Sequence, residues 1–418
     1  MAGGTGKKIG DNVYGYINVN DAELKVIDTP TFQRLRYIKQ LGATDFVYPG
    51  ATHTRFSHCL GTMHLVGQFT GSMKSRGIDI GNDKEEREKL RLAALLHDVG
   101  HYPYSHTTEN VVVKEFKGKN HEEFGAYLIK KFLAEKLGSY SPSEIIDIFM
   151  GKRSTSSLLI SSALDADKAD YLMRDSYNAG VPYGRVSLQT LIRTMSYVNN
   201  GIVFERDEVA VENFLIGRYH MYRAVYYHKA VVSFNLMVEK IFELLVEEGY
   251  LTHPNDLLKG EDEIEISGYT DALLMTAMHE YMRSGKDGFL RSLIRLFLSR
   301  EPLTCLYLSP QASESGTIPK EIAKVQRLSG DDKAKRRLAA RAGVDGEEIF
   351  AVTMRPLSLI DEKTKVYVRS KGELKSITES GGLVLNMVGS RTLYDSRVYS
   401  MPGRSKSVLE ALKRYLKK

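Results

Sequence analysis

Three histidines and an aspartate fall within ten residues of the stretch Leu95-Leu96-His97-Asp98-Val99-Gly100-His101-Tyr102-Pro103-Tyr104-Ser105-His106. Helix burial accounts for the leucines but not for the polar residues. His97 and His101 are four apart, so they project from one helical face. Asp98 sits beside them, and Gly100 allows a sharp turn. Imidazole nitrogen and carboxylate oxygen together suit a divalent transition metal, or Mg2+ where carboxylate and water dominate. A lone His-Asp pair is weak evidence, but two other segments keep it company. Thr54-Arg55-Phe56-Ser57-His58 offers a histidine on a helix, with Arg55 one turn before it. The stretch Leu164 to Asp175 is crowded with acids, and Asp167, Tyr171 and Asp175 share one i, i+4, i+8 stripe. Two acids on such a stripe are odd in a core, where unpaired charge is costly.

Holding these groups requires helices, and the chain reads as almost wholly helical up to about residue 308. Residues 1–8 read as a flexible arm, and Val13–Val19 alternates like a strand. Thr29-Pro30 looks like a cap followed by proline, opening a helix that buries Phe32, Leu35 and Ile38 and ends near Gly42. Helices are expected from Arg55 into the seventies and from Asp83 to His97, the latter opened by Asp83-x-x-Glu86. Helical periodicity returns at 121–136, 143–150, 158–176, 208–248, 269–283 and 286–299. Residues 309–316, rich in turn formers, read as a polar connector. Beyond it lie a basic helical stretch around Lys333–Arg341, strands at Glu348–Met354 and Thr364–Val368, and a closing helix from Lys406 to Lys418. The expected fold is mainly α: a helical domain over 1–308 and a smaller C-terminal α+β lobe over 309–418.

His58, His97-Asp98 and Asp167 match the H…HD…D pattern of HD-domain metal-dependent phosphohydrolases. Three flanking stretches are more specific: Asp28–Gly42, Tyr48–Phe56 and Tyr226-Tyr227-His228-Lys229. With these the chain resembles the deoxynucleoside triphosphate triphosphohydrolase branch. That branch includes the vertebrate sterile-alpha-motif/HD enzyme, whose extra domain is not expected here. The resemblance is strong over about residues 10–230 and thin beyond 300. It implies an HD-domain helical core.

The resemblance also implies roles. His58, His97, Asp98 and Asp167 hold one divalent ion, whether Mg, Mn, Fe, Co or Ni. Two neutral imidazoles and two carboxylates leave positions open for water and a phosphate oxygen, as catalytic sites require. His101, His106 and His121 line the scissile phosphate, and His106 donates a proton to the departing 5′ oxygen. Glu109, one helical turn from His106, orients its ring; the family commonly has aspartate there. Arg55, Lys168 and Arg218 contact phosphate oxygens, and Tyr222 shares a helical face with Arg218 and Tyr226. Tyr226 stacks on the sugar or base, and Gln40 and Asp175 bind the 3′ hydroxyl. Leu41, Tyr171 and Tyr226 leave no room for a 2′ hydroxyl. His53, His64 and His220 lack such support and read as structural. Lys7, Asp28 and Arg36 match positions that bind an activating guanine nucleotide (GTP or dGTP) between subunits. Asp28 also reads as a simple helix cap. A homo-oligomer, dimer or tetramer, is implied.

Composition narrows the classes. With 42% hydrophobic and 26% charged residues, the 418-residue chain reads as globular rather than disordered. No apolar run reaches membrane-spanning length and the N-terminus lacks a secretion signal. Two cysteines, Cys59 and Cys305, suggest no disulfide framework, so the reducing cytoplasm is the expected compartment. There is no G-x-x-x-x-G-K-[ST] phosphate loop. A net charge of +6 suits a pocket for anions without choosing between small molecules and nucleic acid. Two other readings stay open. One is an HD hydrolase for a nucleoside monophosphate, cyclic nucleotide or alarmone. The other is a nucleic-acid binder with a vestigial metal site, resting on the basic run and the lysine-rich tail.

Overall fold

The computed structural model describes residues 6–81, 83–152, 156–198, 201–205, 207–314, 316–358, 366–370, 372–377, 379 and 391–417. The chain opens with a hairpin, β1 (Lys7–Asp11) against β2 (Gly15–Val19). Among the described residues, nine α-helices follow: α1 (Asp21–Ile27), α2 (Pro30–Gln33), α3 (Arg55–Ser75), α4 (Lys84–Leu96), α5 (His106–Lys114), α6 (His121–Leu128), α7 (Pro142–Phe149), α8 (Ala166–Ala179) and α9 (Leu188–Thr194). After the hairpin β3 (Met195–Val198) and β4 (Gly201–Glu205) come α10 (Glu208–Met221), α11 (Lys229–Glu247), α12 (Glu263–Ser267), α13 (Asp271–Ser284) and α14 (Phe289–Leu298). The C-terminal part contains β5 (Thr304–Glu314), α15 (Lys320–Gly330), α16 (Asp332–Ala342), β6 (Ile349–Thr353), β7 (Leu357–Ser358), β8 (Val366–Ser370), β9 (Glu373–Ser376), β10 (Arg391–Ser400) and a closing helix, Ser405–Lys417.

Helix α3 is the post on which the site is built. Cys59, Met63, Leu65, Val66 and Phe69 are all fully buried, so it is apolar on nearly every side, as befits a helix inside a bundle. It packs between α4 and α8. Asp83 caps α4 by accepting from the Glu86 N–H, and the helix buries Leu90 and Leu92 through Leu96. Truncating Leu95 or Leu96 to alanine would cost about 2–5 kcal/mol at such buried sites. Asp165 caps α8 through the Lys168 N–H, and Gly180 ends it in the left-handed conformation at φ 69°. A second apolar core surrounds α11, α13 and α14, and a third lies under α15, α16 and the closing helix. On α16, Leu338 and Ala339 point inward while Lys333, Arg336, Arg337 and Arg341 stand exposed.

Several local expectations need correction. Of the arm, residues 1–5 lie outside the described residues, but Lys7 and Lys8 belong to β1, paired with Val19 and Asn18. The helix opened by Thr29 stops at Gln33 and tightens into a 3-10 turn over Arg34–Tyr37. The fully buried Arg34 guanidinium there donates to the Tyr269 and Val99 carbonyls, and this tertiary demand overrides helix propensity. Over 158–176 a 3-10 turn ends at Leu159 and α-helical order begins only at Ala166, and the 208–248 run breaks at a π-turn over Tyr222–Tyr226 and the cap His228. The largest miss is the connector: residues 309–314 continue β5, which pairs along its length with β10. Since β5 is the edge of the sheet order β5-β10-β6, Pro310 costs it no inner ladder bond. The strand expected at Thr364–Val368 is β8, with residues 364 and 365 outside the described residues, as is Lys418. β8 runs parallel to β4, placing Val366 beside Ile202. No helix among the described residues is long and apolar enough to cross a membrane.

Candidate active site

Three helices aim side chains at one point: His58 on α3, His97 and Asp98 where α4 ends, and Asp167 in the first turn of α8. His58 Nε2 lies 3.1 Å from Asp167 Oδ1 and 3.6 Å from Asp98 Oδ2. His97 Nε2 lies 3.4 Å from Asp98 Oδ1 and 3.7 Å from Asp167 Oδ1. Donors about 2.1 Å from one ion, on adjacent positions, stand about 3 Å apart, so these spacings suit a shared cation. Each imidazole is anchored by its other nitrogen. His58 Nδ1 is 2.8 Å from Asp170 Oδ2, and His97 Nδ1 is 2.7 Å from the Ala94 carbonyl. Those bonds place an N–H on Nδ1, so each Nε2 can offer its lone pair to an ion once that ion displaces any proton held there. Both Nε2 atoms are buried and lack a hydrogen-bond partner, a costly state that a cation would relieve. His58, His97 and Asp167 bring ligand atoms within 4.8 Å of one another and fit a divalent metal, with Asp98, also paired to Arg55, beside them.

Electrostatics agree. Burial opposes a charged His58, but Asp167, Asp170 and Asp98 outweigh it and push its pKa up to about 10. Burial also opposes ionised Asp98, yet Arg55, His97 and His101 hold its carboxyl well below the usual range. His58, His97 and Lys168 do the same for Asp167 against its burial. Paired anions that hold protons on nearby imidazoles form a cation-seeking pocket.

Beside this ring lies a second cluster. Gly100 touches α6 so closely that a Cβ would sit 2.1 Å from the His121 carbonyl oxygen, and this approach brings His101 against His121. Their rings stack at 4.3 Å, and His106 meets His101 edge-on at 4.7 Å. Glu109 ties the cluster together, with Oε2 2.8 Å from His106 Nδ1 and Oε1 2.7 Å from His121 Nδ1. Burial acts to lower the His121 pKa, but Glu109 outweighs it and raises it. For His101, burial and then the Arg55 charge hold the pKa well below the ordinary value. Tyr104 and Ser105, just before α5, both take φ of 57°, a conformation that costs free energy in residues with a side chain. The Ser105 hydroxyl accepts from Arg55 Nε and donates to the Lys39 carbonyl.

A cavity of about 550 Å3 opens onto both clusters. His97, Asp98, His106, His121 and Asp167 line one end. Gln40, Leu41, Arg55, Lys168, Tyr171 and Asp175 line its walls with Tyr222 and Tyr226. Tyr226 donates its hydroxyl to Asp175 Oδ2 at 2.6 Å and meets Tyr222 edge-on at 4.9 Å. Lys168 Nζ lies 3.1 Å from Asp165 Oδ2 and 3.8 Å from Asp167 Oδ2. Arg55 has its guanidinium engaged by Asp98 at 2.5 Å, by Ser105 and by the Gln40 carbonyl. Arg218 acts on the charge of Lys168 and on Tyr171 but is not among the lining residues.

Residues 55–175 match the HD domain model, and residues 186–417 match the HD associated region. The chain belongs to the HD-domain family. A protein of Methanocaldococcus jannaschii, given as uncharacterized, is 29% identical over 412 residues, covering 97% of this chain and 81% of that one. The Dictyostelium discoideum deoxynucleoside triphosphate triphosphohydrolase SAMHD1 homolog is 30% identical over 282 residues, covering 62% of this chain but only 51% of its own. The chain thus spans about half the length of that enzyme. Among solved structures, a phosphohydrolase from Bacteroides thetaiotaomicron superposes with a TM-score of 0.74 at 26% identity, covering 94% of this chain and 100% of that one.

Within this HD domain the structure adds groups that sequence reasoning passed over. His53, read as structural, places Nε2 2.7 Å from Asp175 Oδ1, opposite Tyr226. Asp170 lies off the Asp167–Tyr171–Asp175 stripe and faces α3 instead; its i+3 spacing from Asp167 was the available signal. His64 lies against Tyr14 and His220 against Tyr183, as befits packing groups. Lys7, Asp28 and Arg36 are all exposed, on β1, at the end of α1 and on the 3-10 turn. Arg36 lies over the Phe56 ring at 3.6 Å and donates to Gln33.

Proposed function

We propose that this HD-domain phosphohydrolase is a dNTP triphosphohydrolase that cuts at the α-phosphate, yielding a deoxynucleoside and inorganic triphosphate. The observation that carries the reading is the single cavity joining a metal-fitting ring, an imidazole cluster, a lysine and a tyrosine-walled recess. The related deoxynucleoside triphosphate triphosphohydrolases of Dictyostelium discoideum and Gallus gallus support it. A divalent ion held by His58, His97, Asp98 and Asp167 would supply Lewis-acid polarisation at the phosphate and a more acidic attacking water.

The chain's own groups do the rest. Lys168 meets the negative triphosphate. His106, its Nδ1 held by Glu109, has Nε2 free to pass a proton to the 5′ oxygen as the phosphorus–oxygen bond breaks and water's oxygen takes its place. His121, its positive charge favoured by Glu109, neutralises charge on the phosphoryl oxygens. Tyr226, Asp175, Gln40 and Tyr171 form the sugar end. Activation by a guanine nucleotide through Lys7, Asp28 and Arg36, in a homo-oligomer, belongs to the same reading.

Product analysis on a panel of dNTPs and NTPs, with Mg, Mn, Fe, Co and Ni and with or without GTP, tests it. Inorganic triphosphate from dNTPs is expected. Pyrophosphate or orthophosphate as the product, or turnover of other phosphoesters only, would overturn the substrate assignment. Turnover of a single dNTP that is linear in enzyme and unchanged by GTP or dGTP would overturn the activation.

A further inference from the structure

The buried charges behind His58 form a chain that runs out of the site to the start of the protein. Asp170 Oδ2 receives His58 Nδ1 at 2.8 Å and Arg174 Nε, also at 2.8 Å. Arg174 Nη2 reaches Asp170 Oδ1 at 3.0 Å, completing a two-bond fork. The remaining amine, Nη1, donates to Asp11 Oδ2 at 2.8 Å and to Asn12 Oδ1 at 3.3 Å. Arg174, His58 and Asp170 are completely buried. Helix α3 makes room for the fork by carrying glycine at position 61, where a Cβ would sit 1.8 Å from Asp170 Oδ1 and 2.5 Å from Arg174 Nη2. Asp11 closes the hairpin turn with its other oxygen, which accepts from the Val13 and Tyr14 N–H groups at 2.9 and 3.0 Å. The Tyr14 ring then covers the guanidinium at 5.7 Å.

We propose that the N-terminal hairpin is part of the support of the metal site: Asp11, acting through Arg174 and Asp170, fixes the orientation and tautomer of His58 and so sets how tightly the ion is held. A buried guanidinium shared by two carboxylates has one low-energy place. Remove the outer carboxylate and Arg174 is free to shift toward solvent, taking with it the Asp170 oxygen on which His58 Nδ1 rests. Asp11, Arg174 and Asp170 are positioning residues. The inference rests on the four-ligand site, not on the substrate.

The test is Mn2+ affinity of chelator-stripped full-length protein, read by electron paramagnetic resonance without substrate, together with the visible spectrum of the Co2+ form. Asp170→Asn should weaken Mn2+ binding about 10–100-fold, the usual scale for groups behind a metal ligand. Asp11→Asn keeps an oxygen for the turn but loses the ion pair; it should weaken binding by a smaller factor, about threefold to tenfold, and change the Co2+ spectrum. Asp395→Asn breaks a buried ion pair of 2.6 Å with Arg397 in the C-terminal sheet; it should lower Tm and leave Mn2+ affinity unchanged. Wild-type affinity and spectrum in Asp11→Asn, or an equal loss in Asp395→Asn, would overturn the relay. Wild-type protein that takes up no ion would overturn the metal site itself. If Asp170→Asn does not fold, the Asp11→Asn pair of readings still decides.

Discussion

The two imidazole–carboxylate clusters beside the cavity use the same residue types and are wired in opposite senses. In the first, His58 and His97 spend Nδ1 on anchors outside the cluster, Asp170 and the Ala94 carbonyl, so that two bare Nε2 atoms face Asp98 and Asp167. In the second, His106 and His121 spend Nδ1 on Glu109 within the cluster, so the carboxylate is already satisfied. In the first, the most open side chain is Asp167 at 25% exposure, whereas in the second the His106 side chain is 64% exposed. On the proposed reading the first arrangement would hold a cation; the second, although His101, His106, Glu109 and His121 could also hold one, would exchange protons with the substrate. What the far nitrogen holds decides which chemistry an imidazole offers.

The strongest way to break this contrast is Asp98→Ala or His97→Ala. Either should abolish both hydrolysis and metal uptake while circular dichroism stays helical; full activity in either purified, metal-checked variant would dissolve the distinction. His106→Ala should reduce turnover by about 10²–10⁴ with metal content unchanged, because the loss is of proton transfer alone. If metal is lost as well, the clusters are one site rather than two. Glu109→Gln should have a smaller effect, about 10–100-fold on kcat, and it carries a sign. Glu109 raises the His121 pKa, so removing its charge lets His121 shed its proton earlier, and the alkaline limb of the pH–rate profile should move to lower pH. An unmoved limb would detach His121 from the rate.

Much of this was legible in the chain itself. Residue type and helical spacing point to a divalent-metal constellation in these segments, but it is the resemblance to the HD pattern that names His58, His97, Asp98 and Asp167 as donors and most of the cavity-lining residues as substrate contacts. What escaped depends on packing between distant segments. Asp170 is read as one acid among several until α3 lies against α8 and His58 finds it. His53 and Asp175 are 122 residues apart, and nothing near His53 hints at the carboxylate. Arg55, expected at a phosphate, has a guanidinium already occupied by Asp98, Ser105 and the Gln40 carbonyl, a commitment that only the folded geometry discloses. The strand β5 was hidden for a different reason: Ser309, Pro310 and Ser313 are turn formers by type, and only full-length pairing with β10 draws them straight.

The parallel alignment of β8 with β4 carries a practical warning. Ile202 and Phe204, both sheltered, lie alongside Val366 and Val368, residues that leave the ribosome long after them. Until the later stretch arrives, the earlier one offers an open row of amides and greasy side chains to any neighbour, so shortened versions of this protein should be prone to self-association.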